Sequence, residues 1–201
     1  MLDVSTEHYF TSEPAAPASF RTVEFSLLDH DFSLVAAGGV FSSGRLDPGT
    51  SVLLHKAPLP APDAAGPFLD LGCGYGPIAV VLATAAPSAT VYAVDVNQRA
   101  LDLVRRNAPS VIAALPDDVP AAVQFAEIWS NPPVRIGKTA LHELLDRWLP
   151  RLAPGGVAWL VVAKHLGGDS LQRWLTGRGW SVQRHASQKG FRVLAVRPDN
   201  V

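Results

Sequence analysis

At 201 residues and 21.4 kDa, with 48% hydrophobic and 17% charged residues, the chain is sized for one globular domain with a short extension, which excludes wholesale disorder and fibrous repeats. A single cysteine, Cys73, rules out an internal disulfide framework and a cysteine-built zinc site, and a free thiol fits a reducing, cytoplasmic compartment. The net charge of -1 conceals a division: residues 1–134 hold 6 Lys+Arg against 14 Asp+Glu, a net of -8, and residues 135–201 hold 11 against 4, a net of +7. A basic half can be an electrostatic footprint for nucleic acid, or it can simply solvate helix faces.

In chain order, residues 1 to about 19 are polar and Pro/Ala-rich, the composition of a loose tail, and no basic stretch leads into an apolar run as in a secretory signal. Alternation at Val23, Phe25 and Leu27, then Phe32 and Leu34, predicts a short antiparallel pair, with a turn at Gly38-Gly39. Asp47-Pro48 reads as an N-cap followed by proline at the first helical position. Four prolines between Ala57 and Pro67 mark a boundary, so the expected organisation is an N-terminal extension over 1–57 and a main domain over 58–201.

Beyond Pro67, short apolar runs alternate with helical stretches, which predicts a doubly wound α/β fold, Rossmann-like and mostly parallel. Strands are expected near 67–71, 90–95, 110–114, 124–130 and 157–163, with helices near 77–86, 98–107, 138–152 and 169–177. Leu71 to Val94 carries no charge, but glycines open it and Pro87-Ser88 breaks it, so a buried helix and strand suit it better than a membrane span. Two last runs, 180–187 and 190–197, are joined at Gln188-Lys189 by a link so short that they must form an antiparallel hairpin.

Three constellations carry chemistry. Asp70-Leu71-Gly72-Cys73-Gly74-Tyr75-Gly76-Pro77 places glycines directly after a strand and before a helix, where a ligand can approach the backbone closely. Asp95 closes the next strand, ahead of Asn97, and its carboxylate can accept both hydroxyls of a ribose. The third glycine arrives one residue too early for a dinucleotide fingerprint, and Pro77 stands in its place, which weakens that reading. Ser130-Asn131-Pro132-Pro133 closes the fourth strand, and two prolines hold the Asn131 amide oxygen and the Pro132 carbonyl as convergent acceptors suited to an amine. An Asp at 131 would still accept and is expected to keep part of the function. The six histidines show no metal-ligand spacing, so no metal is expected.

Together these residues resemble the class I S-adenosylmethionine-dependent methyltransferases, and within them the small-domain family of ribosomal RNA (guanine-N2)-methyltransferases. Gly39-Val40-Phe41-Ser42 with Leu46-Asp47-Pro48-Gly49-Thr50 resembles that family's pre-motif, and Asn131 to Lys138 resembles one form of its catalytic motif. The resemblance implies that Asp70, Gly72, Gly74 and Gly76 hold the methionine part of S-adenosyl-L-methionine, Asp95 its ribose with Asn97 alongside, and Asn131, Pro132 and Pro133 the target amine. It implies RNA as partner, with Arg135 and Lys138 on the substrate side and no membrane. Relatives often carry an aromatic residue after Asn-Pro-Pro, where this chain has Val134, so Phe41 becomes the candidate for stacking on the base, and Asp117 the candidate adenine contact. Alternative readings are a methyltransferase of a protein glutamine or small amine, and a non-catalytic binding subunit.

Overall fold

The computed structural model describes residues 19–41, 44–133 and 136–199; the segment expected to form a tail lies, up to residue 18, outside them. The early alternation forms β1 (Phe20–Leu27) and β2 (His30–Ala37), an antiparallel hairpin that is a sheet of its own. Its two-residue turn, Leu28-Asp29, takes φ of 55° and 59°, the handedness that matches the twist of paired strands. Asp47 accepts the Thr50 N–H at 3.0 Å and Pro48 follows, so α1 (Pro48–Lys56) starts at the expected cap.

Strand and helix then alternate: β3 (Phe68–Leu71), α2 (Pro77–Ala85), β4 (Val91–Val94), α3 (Gln98–Asn107), β5 (Ile112–Ala114), β6 (Phe125–Ser130), α4 (Lys138–Trp148), β7 (Leu152–Ala163) and α5 (Gly168–Gly177). The chain ends in β8 (Trp180–Gln188) and β9 (Phe191–Pro198). The seven-stranded sheet has the order β5-β4-β3-β6-β7-β9-β8. β3 to β7 run parallel, and β9 lies antiparallel between β7 and β8. This is the doubly wound, mostly parallel sheet with a C-terminal antiparallel hairpin that the sequence predicts.

Successive residues of a strand face opposite sides, and both sides of this sheet are covered. Phe68, Trp129 and Trp159 pack with α1, α2 and part of α3, while Leu69, Ile128 and Leu160 pack with α4 and α5. No helix among the described residues is long and apolar enough to cross a membrane.

Three boundaries differ from the sequence reading. The helix expected to reach 152 ends at Trp148, because Pro150 lacks the N–H that the next turn needs, and Leu149–Arg151 tighten into a 3-10 turn. β7 begins at Leu152 rather than 157: Phe125 pairs with Leu152 but Glu127 with Val157, so the intervening residues bulge. Gly156 makes that possible, since a Cβ there would lie 2.9 Å from the carbonyl oxygens of Ala126 and Ala153. The last turn sits at Lys189-Gly190, with φ of 48° and 81°, one residue later than expected.

One amide makes three of the hydrogen bonds that fasten the hairpin to the main sheet. Asn107, the last residue of α3, donates to the carbonyls of Val35 (2.8 Å) and Tyr75 (2.9 Å) and accepts from Val35 N–H at 2.9 Å. Asn107→Ala removes all three bonds and is expected to cost about 1–3 kcal/mol, read as a lower urea midpoint at unchanged slope.

Candidate active site

Chain order reverses between β3 and β6, the centre of the sheet, so the loops leaving their carboxyl ends diverge and open a crevice. The Ser130 hydroxyl donates to the Leu71 carbonyl at 2.7 Å and ties the two strand ends together. A Cβ built on Gly72 would sit 4.0 Å from Pro133 Cδ. The glycine loop and the Asn-Pro-Pro segment, 55 or more residues apart in sequence, are therefore neighbours.

Asp70 lies wholly buried in β3, on the sheet face covered by α2. Gly76, the residue before α2, has no side chain with which to cap it; Asp70 Oδ2 instead accepts the Ala79 N–H of the first turn at 2.9 Å. Gly76 itself takes φ of 88°, and a Cβ there would meet Val104 Cγ2 at 3.0 Å. The second oxygen of Asp70, Oδ1, is buried without a partner among the described residues. Burial pushes the carboxyl up to about 8, against the lowering effect of the Ala79 N–H, with the nearby Asp95 adding to the rise.

Asp95 follows β4 and faces the same loop. Its Oδ2 accepts from Gly74 N–H at 3.0 Å and its Oδ1 from Asn97 N–H at 2.9 Å, and burial raises its pKa despite these bonds. The Asn97 side chain, 1% exposed, caps α3 through Arg99 N–H and donates to the Gly39 carbonyl at 3.0 Å. Both ends of that amide thus join α3 to the hairpin exit, and Asn97 meets the glycine loop through its backbone hold on Asp95. Cys73 is buried in the loop, and burial pushes its thiol up, which leaves it neutral.

Asn131 is half-buried at the end of β6. Its Nδ2 donates to Asp47 Oδ1 at 2.6 Å and to Thr50 Oγ1 at 3.0 Å, both at the start of α1. Its Oδ1 and the Pro132 carbonyl accept no hydrogen bond from the described residues, whereas the Pro133 carbonyl accepts from Ile136 N–H at 3.1 Å. Asp47 and Thr50 had no place among the expected site residues: the sequence marks Asp47 as a helix cap, and no spacing tells that the cap meets residue 131.

The other expected residues show no contact with the glycine loop or Asn131 among the described residues. Phe41 is 43% exposed, next to Val40, whose Cγ1 lies 3.9 Å from a Cβ built on Gly74. Lys138 is exposed at the first turn of α4, while Arg135 lies outside the described residues, as does Val134. Asp117 pairs with Arg147 at 2.7 Å on an exposed surface. No three His, Cys, Asp or Glu side chains come together as a metal site among the described residues.

The buried carboxyl makes a testable statement about the ligand-free protein. Asp70 binds its proton more tightly folded than unfolded, so its contribution to stability is complete below pH 4 and is lost as pH rises through about 8. Asp70→Asn cannot ionise and should flatten that slope, leaving the variant about 1–3 kcal/mol more stable than wild type at pH 8.5 but not at pH 4. Urea denaturation at both pH values measures it.

Over residues 31–195 the sequence matches the model of the methyltransferase small domain. It is 31% identical to Bacillus subtilis (strain 168) uncharacterized protein YbxB, over 96% of this chain and 98% of that protein. It is 32% identical to ribosomal RNA small subunit methyltransferase C of Pseudomonas aeruginosa (strain UCBPP-PA14), over 92% of this chain and 57% of that one. The solved T. thermophilus 16S rRNA N2 G1207 methyltransferase, in complex with AdoMet and guanosine, shares the fold with a TM-score of 0.72 at 23% identity, over 92% of this chain and 52% of that one. The chain thus spans a little over half the length of these last two proteins. Crevice, glycine loop and Asn-Pro-Pro segment occur within the stretch that the family model covers, and the chain belongs to the methyltransferase small-domain family.

Proposed function

We propose that this chain methylates the exocyclic N2 amine of a guanine in ribosomal RNA, with S-adenosyl-L-methionine as methyl donor. The observation that carries the reading is Asn131: its amide nitrogen is turned to Asp47 and Thr50, and its oxygen, like the Pro132 carbonyl, accepts nothing from the described residues. Two such acceptors suit the two hydrogens of an amine.

The residues around the glycine loop fit the cofactor by charge. Asp70 and Asp95 are carboxyls held against their preference in a buried place, and Asp70 Oδ1 lacks a partner among the described residues. A ligand that brings positive charge and ribose hydroxyls compensates both, whereas a pyrophosphate would face two acids. When bound, S-adenosylmethionine supplies an electrophilic methyl group on a positively charged sulfur. Asp70 and the loop glycines would hold its methionine part and Asp95 its ribose hydroxyls.

Asn131 and Pro132 do their work on the nucleophile. An aryl amine is a weak nucleophile because its lone pair is delocalised into the ring. Accepting its two hydrogens at Asn131 Oδ1 and the Pro132 carbonyl favours a pyramidal nitrogen and localises that pair toward the methyl group. The nitrogen forms the N–C bond as the S–C bond breaks with its electrons going to sulfur, and the surplus proton leaves for water. Pro133 stiffens the backbone behind these acceptors, and the exposed Phe41 would stack on a base flipped out of its helix.

Charge supports RNA as the substrate class. Lys138 after β6, Lys164 after β7 and Lys189 in the β8–β9 turn all lie at the carboxyl edge of the sheet, exposed and without an ion pair among the described residues. The backbone of Lys164 bonds to Gly190 at 2.9 Å, so the last two lysines stand on adjoining loops. These lysines belong to the basic half of the sequence, as does Arg135.

Three measurements test the reading. Asp95→Ala should weaken S-adenosylmethionine binding by about 1.5–3 kcal/mol in calorimetry, while a folded variant of unchanged affinity means that the ribose is held elsewhere. RNA binding should weaken as salt rises, and Lys138→Glu should reduce the slope of log affinity against log salt by about 1. Mass spectrometry of ribosomal RNA from cells lacking the protein should show one N2-methylguanine missing. Salt-independent substrate binding with intact ribosomal RNA would instead favour a small amine or a protein glutamine.

A further inference from the structure

We infer that Asp47 and Thr50 are positioning residues for the methyl-acceptor site: they lock the Asn131 carboxamide in one of its two flip states and make asparagine, rather than aspartate, obligatory at that position. The inference rests on the proposed function for the identity of the acceptor, but its geometry stands independently.

A terminal amide can rotate to present either oxygen or nitrogen to a given partner, and the two states differ only in hydrogen bonding. Asp47 Oδ1 already accepts the Thr50 N–H at 3.0 Å, so it faces the start of α1 as an acceptor. An amide oxygen 2.6 Å from that oxygen would be two acceptors in contact; the nitrogen must face it, as it does. The second amide hydrogen goes to Thr50 Oγ1 at 3.0 Å, and Thr50 is 4% exposed, so water cannot readily replace it. Both donors are consumed on the α1 side, and only an acceptor is left for the crevice. A charged acceptor drawing on the amide N–H also polarises the group and strengthens its oxygen as an acceptor.

The arrangement has little slack. A Cβ on Gly49, between Asp47 and Thr50, would lie 3.0 Å from Asp47 Oδ1 and 3.0 Å from Phe191 Cε1, so the turn is pressed between its own cap and β9. The sequence reading expects an aspartate at 131 to keep part of the function, and the contact with Asp47 argues the opposite at neutral pH. Asn131→Asp would set a second carboxylate against Asp47, where two acids can coexist only by sharing a proton.

The test is an exchange of the two side chains. Asn131→Asp, Asp47→Asn, the double variant with both changes, and Thr50→Val are compared with wild type for S-adenosylmethionine affinity by calorimetry, melting temperature, and single-turnover methyl transfer to 16S ribosomal RNA. Asn131→Asp should lose about 100-fold or more in transfer at pH 8 and recover as pH falls, because a shared proton restores the donor. The exchanged double variant, with an amide capping α1 and a carboxylate facing the crevice, should return to within about 10-fold of wild type and be flat with pH. Thr50→Val, which keeps shape and the backbone cap, should transfer about 3- to 10-fold more slowly at unchanged cofactor affinity. Independently of any substrate, the Asn131 side-chain amide protons should exchange slowly in 15N NMR of wild type and rapidly in Asp47→Ala.

An exchanged variant no better than Asn131→Asp, an Asn131→Asp variant active at the wild-type rate at every pH, or freely exchanging Asn131 amide protons in wild type would each overturn the inference. A wild-type enzyme that transfers no methyl to ribosomal RNA while its Asn131 protons are protected would overturn the RNA reading and leave the locked amide standing.

Discussion

The site depends on one carboxylate that serves two masters in the fold. Asp47 caps α1 through the Thr50 N–H and, with the same oxygen, holds the amide of Asn131, 84 residues further along. Helix caps ordinarily stabilise only their own helix, by about 1 kcal/mol. Here the cap also decides which atom of a crevice residue faces the crevice. The start of α1 must therefore sit at a defined distance from the end of β6, and the packing enforces it: Val52, Leu53 and Leu54 share one apolar layer with Ile78, Leu82, Trp129 and Trp159. Core burial, in this view, supplies the tolerance that a 2.6 Å contact demands.

The same logic runs through the asparagines. Asn97 joins α3 to the Gly39 carbonyl and Asn107 joins it to Val35 and Tyr75, so the separate two-stranded sheet is bound to α3 and the glycine loop by these amides, an Arg99–Gly38 hydrogen bond and a shared apolar cluster rather than by strand pairing. An amide can donate and accept at once, which suits the junction between two sheets whose edges do not meet. The hairpin thereby carries Val40 against the glycine loop and leaves Phe41 exposed.

Electrostatically the carboxyl edge is divided at the chain reversal. On the β3 and β4 side lie two carboxyls whose pKa values are raised by burial, Asp70 and Asp95. On the β6 to β9 side lie exposed lysines. The acidic side costs stability without a ligand and favours a cation; the basic side costs little, being solvated, and favours an anion. At the carboxyl edge the first half of the chain thus contributes buried carboxyls and the second half exposed lysines, because in a doubly wound sheet each half builds one side of the switch point.

Much of this was legible in the chain itself. Strand and helix alternation from Phe68 onward, the cap at Asp47, the glycine loop and the Asn-Pro-Pro segment follow from periodicity, turn chemistry and the placement of proline, all local properties. The boundaries that shifted did so for reasons that involve a partner: β7 extends to Leu152 only because Phe125 pairs with it, and the bulge before Val157 exists in relation to β6. Roles shifted in the same way. Asp70 caps α2 from within β3, nine residues before Ala79, and Asp47 and Thr50 take the Asn131 nitrogen while its oxygen accepts nothing from the described residues. By itself the sequence determined the fold class and the family resemblance, since these depend on which side chains occur at which spacing. Only the tertiary structure decided which hydrogen bonds those side chains spend on architecture and which they keep for a ligand, because a donor is used up by whatever the fold brings within 3 Å of it, and no spacing along the chain records that distance.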